Sequence, residues 1–147
     1  MDGLRAREIQ TLFRWFKEGP PGAIPIEHDQ RSVGMLQAAT WEDAGGAAAD
    51  RLDSWHGRGT GRRWLVESVL NTPDRVLFWV KDVRGEMIGH VGLSGLDALS
   101  GTITVGDVIC GVAGQEALMA AAVGCLVGWV GRSLRLRARR EGGRAAA

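Results

Sequence analysis

The chain contains no tyrosine. That removes one common general acid from any mechanism it could run. It has only two cysteines, Cys110 and Cys125, too few for a disulfide scaffold. A reduced, cytoplasmic setting is the simplest expectation. Excess charge is also missing: the formal net charge is +1, where a general nucleic-acid binder is usually far more basic. The N-terminus carries Asp2, Arg5, Arg7 and Glu8 but no apolar core of the signal-peptide kind. The longest uncharged run, from Ala117 to Gly131, falls short of the roughly 20 residues a membrane span requires. Its small residues, with Arg132, Arg135 and Arg137 beyond, would also suit a membrane anchor; a buried domain helix is the plainer reading. No nucleic-acid or membrane partner is therefore expected.

What is present fits one globular domain. There are 147 residues, 45% hydrophobic and 24% charged, with 22 glycines. The stretch from Met87 to Leu134 organises the rest. Residues 87–93 and 102–109 read as two strands, 110–115 as a glycine-bearing turn, and Glu116 to about Leu134 as a helix. A turn that delivers a strand into a helix exposes backbone N–H groups at the positive end of the helix dipole, which suits an anion.

Taken in order, residues 4–17 show a helical apolar face of Leu4, Ile9, Leu12, Phe13 and Phe16. Gly19-Pro20-Pro21-Gly22 stops that helix, and Pro25 keeps the next segment extended. Residues 1–30 read as an N-terminal helical appendage or dimer element. His28, between Glu27 and Asp29, makes no metal cluster, because adjacent residues converge poorly on one ion; no metal is expected. Residues 32–39 suit a strand. Thr40 caps a helix expected to run to about Trp55 with Ala44, Ala47, Ala48, Leu52 and Trp55 inward, weakened by Gly45 and Gly46. His56 to Gly59 reads as a loop, and a second helix carries Trp64, Leu65, Val69 and Leu70. Asn71-Thr72-Pro73-Asp74 is a turn. The unbroken run Val76-Leu77-Phe78-Trp79-Val80 predicts a strand buried on both faces. A hairpin at residues 83–86 leads into the Met87 strand. The order is strand, two helices, three antiparallel strands and a long helix, which predicts an α+β domain around a central sheet.

That order, with Trp41-Glu42-Asp43-Ala44, Leu77-Phe78-Trp79-Val80, Gly85 to Leu93 and Gly106-Asp107-Val108-Ile109, resembles the GNAT superfamily of acyl-CoA-dependent N-acyltransferases. The resemblance covers roughly residues 33–136, and residues 31–136 are read as the acyltransferase domain. It implies a mixed, largely antiparallel central sheet with flanking helices, and acetyl-CoA as cosubstrate. It also implies a fourth strand that splays from a fifth, and a turn that grips the pyrophosphate. The residues it places at the cofactor are Val108, Ile109, Cys110, Gly111, Val112, Ala113, Gly114 and Gln115. Two departures stand out. Cys110 precedes Gly111 where the family usually has a basic or amide residue, although any non-proline residue still supplies an N–H. The C-terminal half looks incomplete: residues 133–137 could begin a fifth strand, and 137–147 read as a disordered basic tail, solubilising or phosphate-holding. An exposed fourth-strand edge would invite a second copy, so a homodimer is expected.

For acyl transfer to an amine, a base must take a proton and the thioester carbonyl must be polarised. Asp107, beside the cofactor turn, is the first candidate base; its other reading is a strand end or turn cap. His90 is the second, since histidine titrates near neutrality, and its other reading is a packed histidine. Asp97 reads as a solvated loop carboxylate and Cys110 as an ordinary cysteine. The activity implied is acetyl transfer from acetyl-CoA to a primary amine of a small molecule or amino sugar. The alternative is a catalytically silent module of the same fold that binds or dimerises.

Overall fold

The computed structural model describes residues 3–20, 22–57 and 59–141. Its centre is a six-stranded sheet in sequential order, β1 (Ala23–His28), β2 (Arg31–Ala38), β3 (Val76–Asp82), β4 (Met87–Asp97), β5 (Thr102–Cys110) and β6 (Arg137–Arg140). The first four pairings are antiparallel and the last is parallel. The fold class is thus α+β with a largely antiparallel mixed sheet, as the sequence predicts. β3 sits in the middle with Val76 to Val80 all buried, which is what its continuous apolar run requires.

Helices cover both faces. On one face lie α1 (Gly3–Glu18) and α4 (Glu116–Trp129); α4 runs on through a wide π turn, Val130–Leu134. Ile9 and Phe13 of α1 and Met119, Ala122, Val123 and Leu126 of α4 pack with Ile26, Leu36, Phe78, Val91 and Val105 of the sheet. Residues 116–134 are long and apolar enough to cross a membrane, with mean hydropathy 1.6. Here the helix lays its inner stripe on the sheet instead. Its buried positions include Met119 and Ala122, while Ala120 is exposed.

On the other face lie α2 (Ala47–His56) and α3 (Thr60–Trp64), the latter continuing as a π turn, Leu65–Leu70. They enclose a smaller core of Leu52, Leu65, Val69, Leu77 and Trp79. The helix expected from Thr40 to Trp55 is in fact two pieces. A short 3-10 turn, Glu42–Gly45, comes first, and Gly46 is extended before α2 begins. Two consecutive glycines give the backbone no reason to stay helical. Thr40 and Asp43 do exchange capping bonds: the Thr40 N–H donates to Asp43 Oδ2 at 2.9 Å and the Asp43 N–H to Thr40 Oγ1 at 3.4 Å.

The two ends of the chain join this sheet. Residues 1–30, read from sequence as an appendage, supply Ile9, Phe13 and Ile26 to the main core, and β1 is one of the two edge strands. Arg137–Arg140, read as the start of a tail, form β6. Leu134 and Leu136 are buried and bring the chain back to the sheet, where the Arg137 N–H donates to the Gly101 carbonyl at 3.0 Å. The rest of the expected tail, residues 142–147, lies outside the described residues.

Candidate active site

β5 holds the local irregularity on which the site is built. His90 pairs with Ile109 and Gly92 with Gly106, so β5 spends one residue more than β4 over this interval. The extra residue makes a β-bulge at Asp107, whose φ is +53°. Aspartate tolerates that left-handed conformation better than most side chains. β6 pairs with β5 along its whole length, from Thr102 opposite Arg137 to Val105 opposite Arg140. Beside the end of β6, between β5 and α4, lies a cavity of about 180 Å³ lined by Val108, Cys110, Glu116, Met119, Ala120, Val123 and Arg140.

The bulge turns each polar group of Asp107 toward a different partner. Its N–H donates to Glu141 Oε2 at 3.0 Å. Its carbonyl lies 2.6 Å from His90 Nδ1. Its carboxylate takes two bonds from Arg75 Nη2, at 3.0 and 2.9 Å. The carboxylate expected to act as a base is therefore committed to an ion pair. The N–H is the informative group, because Glu141 shows that a carbonyl-like oxygen can reach it.

The turn after β5 is partly closed and partly open. Gly111 donates its N–H to the Ile88 carbonyl at 2.8 Å, and Gln115 donates to the Val112 carbonyl at 3.3 Å. The N–H groups of Val112, Ala113 and Gly114 have no protein partner among the described residues. They sit at the start of α4, a place that favours an anion. Gly114 has φ +89°, which a side chain would resist. Gly111 lies flat on the Trp55 indole: an added Cβ would come 2.1 Å from Trp55 Cε2. Val108, Ile109 and Cys110 stay within β5, and Cys110 Sγ donates to the Val112 carbonyl at 3.2 Å. A larger cavity, about 570 Å³, opens beside the α4 start and is lined by His28, Asp82, Arg84, Glu86 and Gln115 among others.

His90 is wholly buried, on the sheet face that carries α2 and α3. Three indoles enclose it, with ring centroids at 6.2 Å for Trp55, 5.5 Å for Trp64 and 6.4 Å for Trp79. Burial pulls its pKa down to about 4, the bond to the Asp107 carbonyl pulls the other way, and His56 lowers it further. His90 Nε2 lies 2.9 Å from His56 Nε2. His56 is the last residue of α2, and burial lowers its pKa too, opposed by the charges of Asp107 and Asp53. Tight packing fixes the helix end that carries it. Gly61 lies so close to Leu52 that a Cβ would sit 2.5 Å from the Leu52 carbonyl oxygen, and Asp53 Oδ1 accepts the Arg62 N–H at 2.7 Å. Thr60 Oγ1 donates to the His56 carbonyl at 3.0 Å.

Of the two expected catalytic residues, His90 and Asp107 meet in one network. His56, Arg75 and Glu141 join it, and the sequence reading had assigned them no role. His56 follows Trp55 at the end of α2, which is a weak signal, and its partner lies 34 residues away. No group of three or more metal-binding side chains converges among the described residues.

No family model matches the sequence, and no curated protein matches it significantly. Among solved structures, a GCN5-related N-acetyltransferase from Brucella melitensis superposes with a TM-score of 0.54 at 17% identity. The fold is GNAT-like. The match covers 84% of this chain and 61% of that protein. At this identity the likeness concerns the arrangement of elements alone.

Proposed function

We propose that this protein transfers an acetyl group from acetyl-CoA to the primary amine of a small molecule or amino sugar, by direct attack in a ternary complex. The observation that carries the reading is the set of N–H groups of Val112, Ala113 and Gly114, without protein partners among the described residues at the start of α4. A cavity of about 180 Å³ between β5 and α4, lined by Val108, Met119 and Val123 together with Glu116 and Arg140, lies on the same strand-to-helix connection. Those amides suit a pyrophosphate. Val108, Met119 and Val123 suit the uncharged arm that carries the thioester. The Asp107 N–H, when Glu141 gives way, can donate to the thioester carbonyl and stabilise negative charge as it develops there. The acceptor amine would then approach from the α2–α3 face.

One observation favours a second reading, a silent binding module: Glu141 occupies the donor that the carbonyl would need. Thermal unfolding with acetyl-CoA, combined with release of free thiol over a panel of amines, separates the two. At 100-fold over its dissociation constant a ligand adds about 2.7 kcal/mol, or roughly 5–10 °C for a chain of this size. The proposal requires that shift together with amine-dependent thiol release. A shift without thiol release supports the silent module, and no shift at millimolar acetyl-CoA refutes the acetyl-transfer reading and leaves the silent module ahead.

A further inference from the structure

We propose that His56 is the general base toward the acceptor amine and that His90 is the residue that fixes its tautomer. The inference rests on the acetyl-transfer reading and adds the group that takes the proton. It follows from donor and acceptor accounting along one chain of atoms.

The Asp107 carbonyl can only accept, so at 2.6 Å His90 Nδ1 must carry hydrogen. His90 is buried among indoles and neutral, so its Nε2 holds a lone pair and can only accept. His56 Nε2, 2.9 Å away, must then be the donor. The ring geometry agrees. The ring centres are 5.2 Å apart and the planes differ by 22°. That separation is the nitrogen gap plus about one ring width, so both nitrogens lie near the line joining the centres. The contact is an in-plane hydrogen bond rather than a face-to-face stack.

A His56 that holds its proton on Nε2 has a lone pair on Nδ1. Among the described residues nothing bonds that atom. His56 is only partly buried, whereas His90 is sealed and has both nitrogens engaged. Burial disfavours a charge on His56, and neighbouring groups offset part of that cost once a proton arrives. His56 ends α2, where the helix dipole favours a cation. Asp53 lies one turn back on the same helix, and both it and Asp107 on β5 favour the charged form. Arg75 tempers the second of these, since it sits on the Asp107 carboxylate. From β4, His90 Nε2 accepts the remaining N–H of the imidazolium.

The step balances. As the amine nitrogen bonds to the thioester carbon, one of its protons passes to His56 Nδ1. The carbon–sulfur bond breaks, its electron pair leaves on sulfur, and the proton returns from His56 to give the free thiol. The Asp107 carboxylate holds Arg75 throughout, so Asp107 acts through its backbone by positioning His90.

Imidazole ¹⁵N spectra of the full chain test the tautomers, with His56→Gln assigning the signals. The expected result is Nε2–H for His56 and Nδ1–H for His90; an Nδ1–H tautomer at His56 overturns the proposal. In kinetics, His56→Gln should lower kcat roughly 10²- to 10⁴-fold, leave the KM for acetyl-CoA nearly unchanged and abolish the acid limb of the pH profile. His90→Gln should disturb the His56 tautomer and shift that limb, which a packing role alone would not do. If His56→Gln binds acetyl-CoA and turns over at the wild-type rate, the base is elsewhere. If the wild type binds no acetyl-CoA, the acetyl-transfer reading fails and takes the base with it. The spectra would still report on the histidine pair in that case, so the two failures are distinguishable.

Discussion

Asp107 shows how one residue can carry structural and chemical duties through different atoms. Its φ of +53° turns the carbonyl toward His90 and the N–H toward Glu141. Its carboxylate holds Arg75, whose guanidinium lies 5.4 Å from the Trp64 ring. Both side chains are largely buried, at 23% and 16% exposure, so removing one charge leaves the other poorly solvated. Asp107→Ala loses the ion pair and also the side chain best suited to left-handed backbone. We expect it to cost about 2–4 kcal/mol in urea unfolding. Asp107→Asn keeps the conformational tolerance and a neutral acceptor, so its cost should be about half as large. Equal losses in the two variants would mean that the ion pair, and not the bulge conformation, sets the whole effect.

At the scale of elements, the same contrast separates two glycines of the cofactor turn. Gly111→Ala drives a methyl into the Trp55 indole, and Trp55 in turn lies against His90. Gly114→Ala meets nothing within 4 Å, so only its φ of +89° is strained. The first should cost about 1–3 kcal/mol and shift tryptophan emission; the second should cost about 1 kcal/mol and leave emission unchanged. If the two emission spectra match, the turn does not rest on Trp55 as described. Such elements differ in how far sequence reveals them. β3 was legible because five consecutive apolar β-formers suit only a strand buried on both faces. The path from β5 to α4 was legible because Gly111 and Gly114 punctuate an otherwise apolar stretch. β6 was not, because at an edge its Arg137, Arg139 and Arg140 stay exposed and read as a polar tail. The histidine pair was not legible either. His90 could be placed on a strand, but nothing local says that the end of α2 will reach it.

Over the whole molecule, α1 is fastened at both ends. Arg5 donates to the Leu134 carbonyl where α4 ends. At the other end, the Lys17 carbonyl accepts the Trp41 N–H at 2.9 Å, and Lys17 Nζ donates to the Thr72 carbonyl at 2.6 Å. Lys17 therefore joins α1 to the segments entering and leaving the α2–α3 layer. It is only 3% exposed, and burial pushes its pKa from 10.5 down to about 8 against the pull of Asp74. Between those values the unfolded chain binds the proton more strongly than the folded one. Stability from this group must therefore rise with pH from about 8 to about 10.5, and below 8 its penalty is constant. A lowered lysine pKa means that Lys17 costs stability when charged, even though it bridges three segments. The difference in unfolding free energy between wild type and Lys17→Met isolates this group, since the exposed titrations cancel. It should change in favour of the wild type by on the order of 2–3 kcal/mol across that window. Urea midpoints measured at several pH values supply the test, and parallel curves would place the Lys17 ammonium in water, with α1 held chiefly by its apolar face.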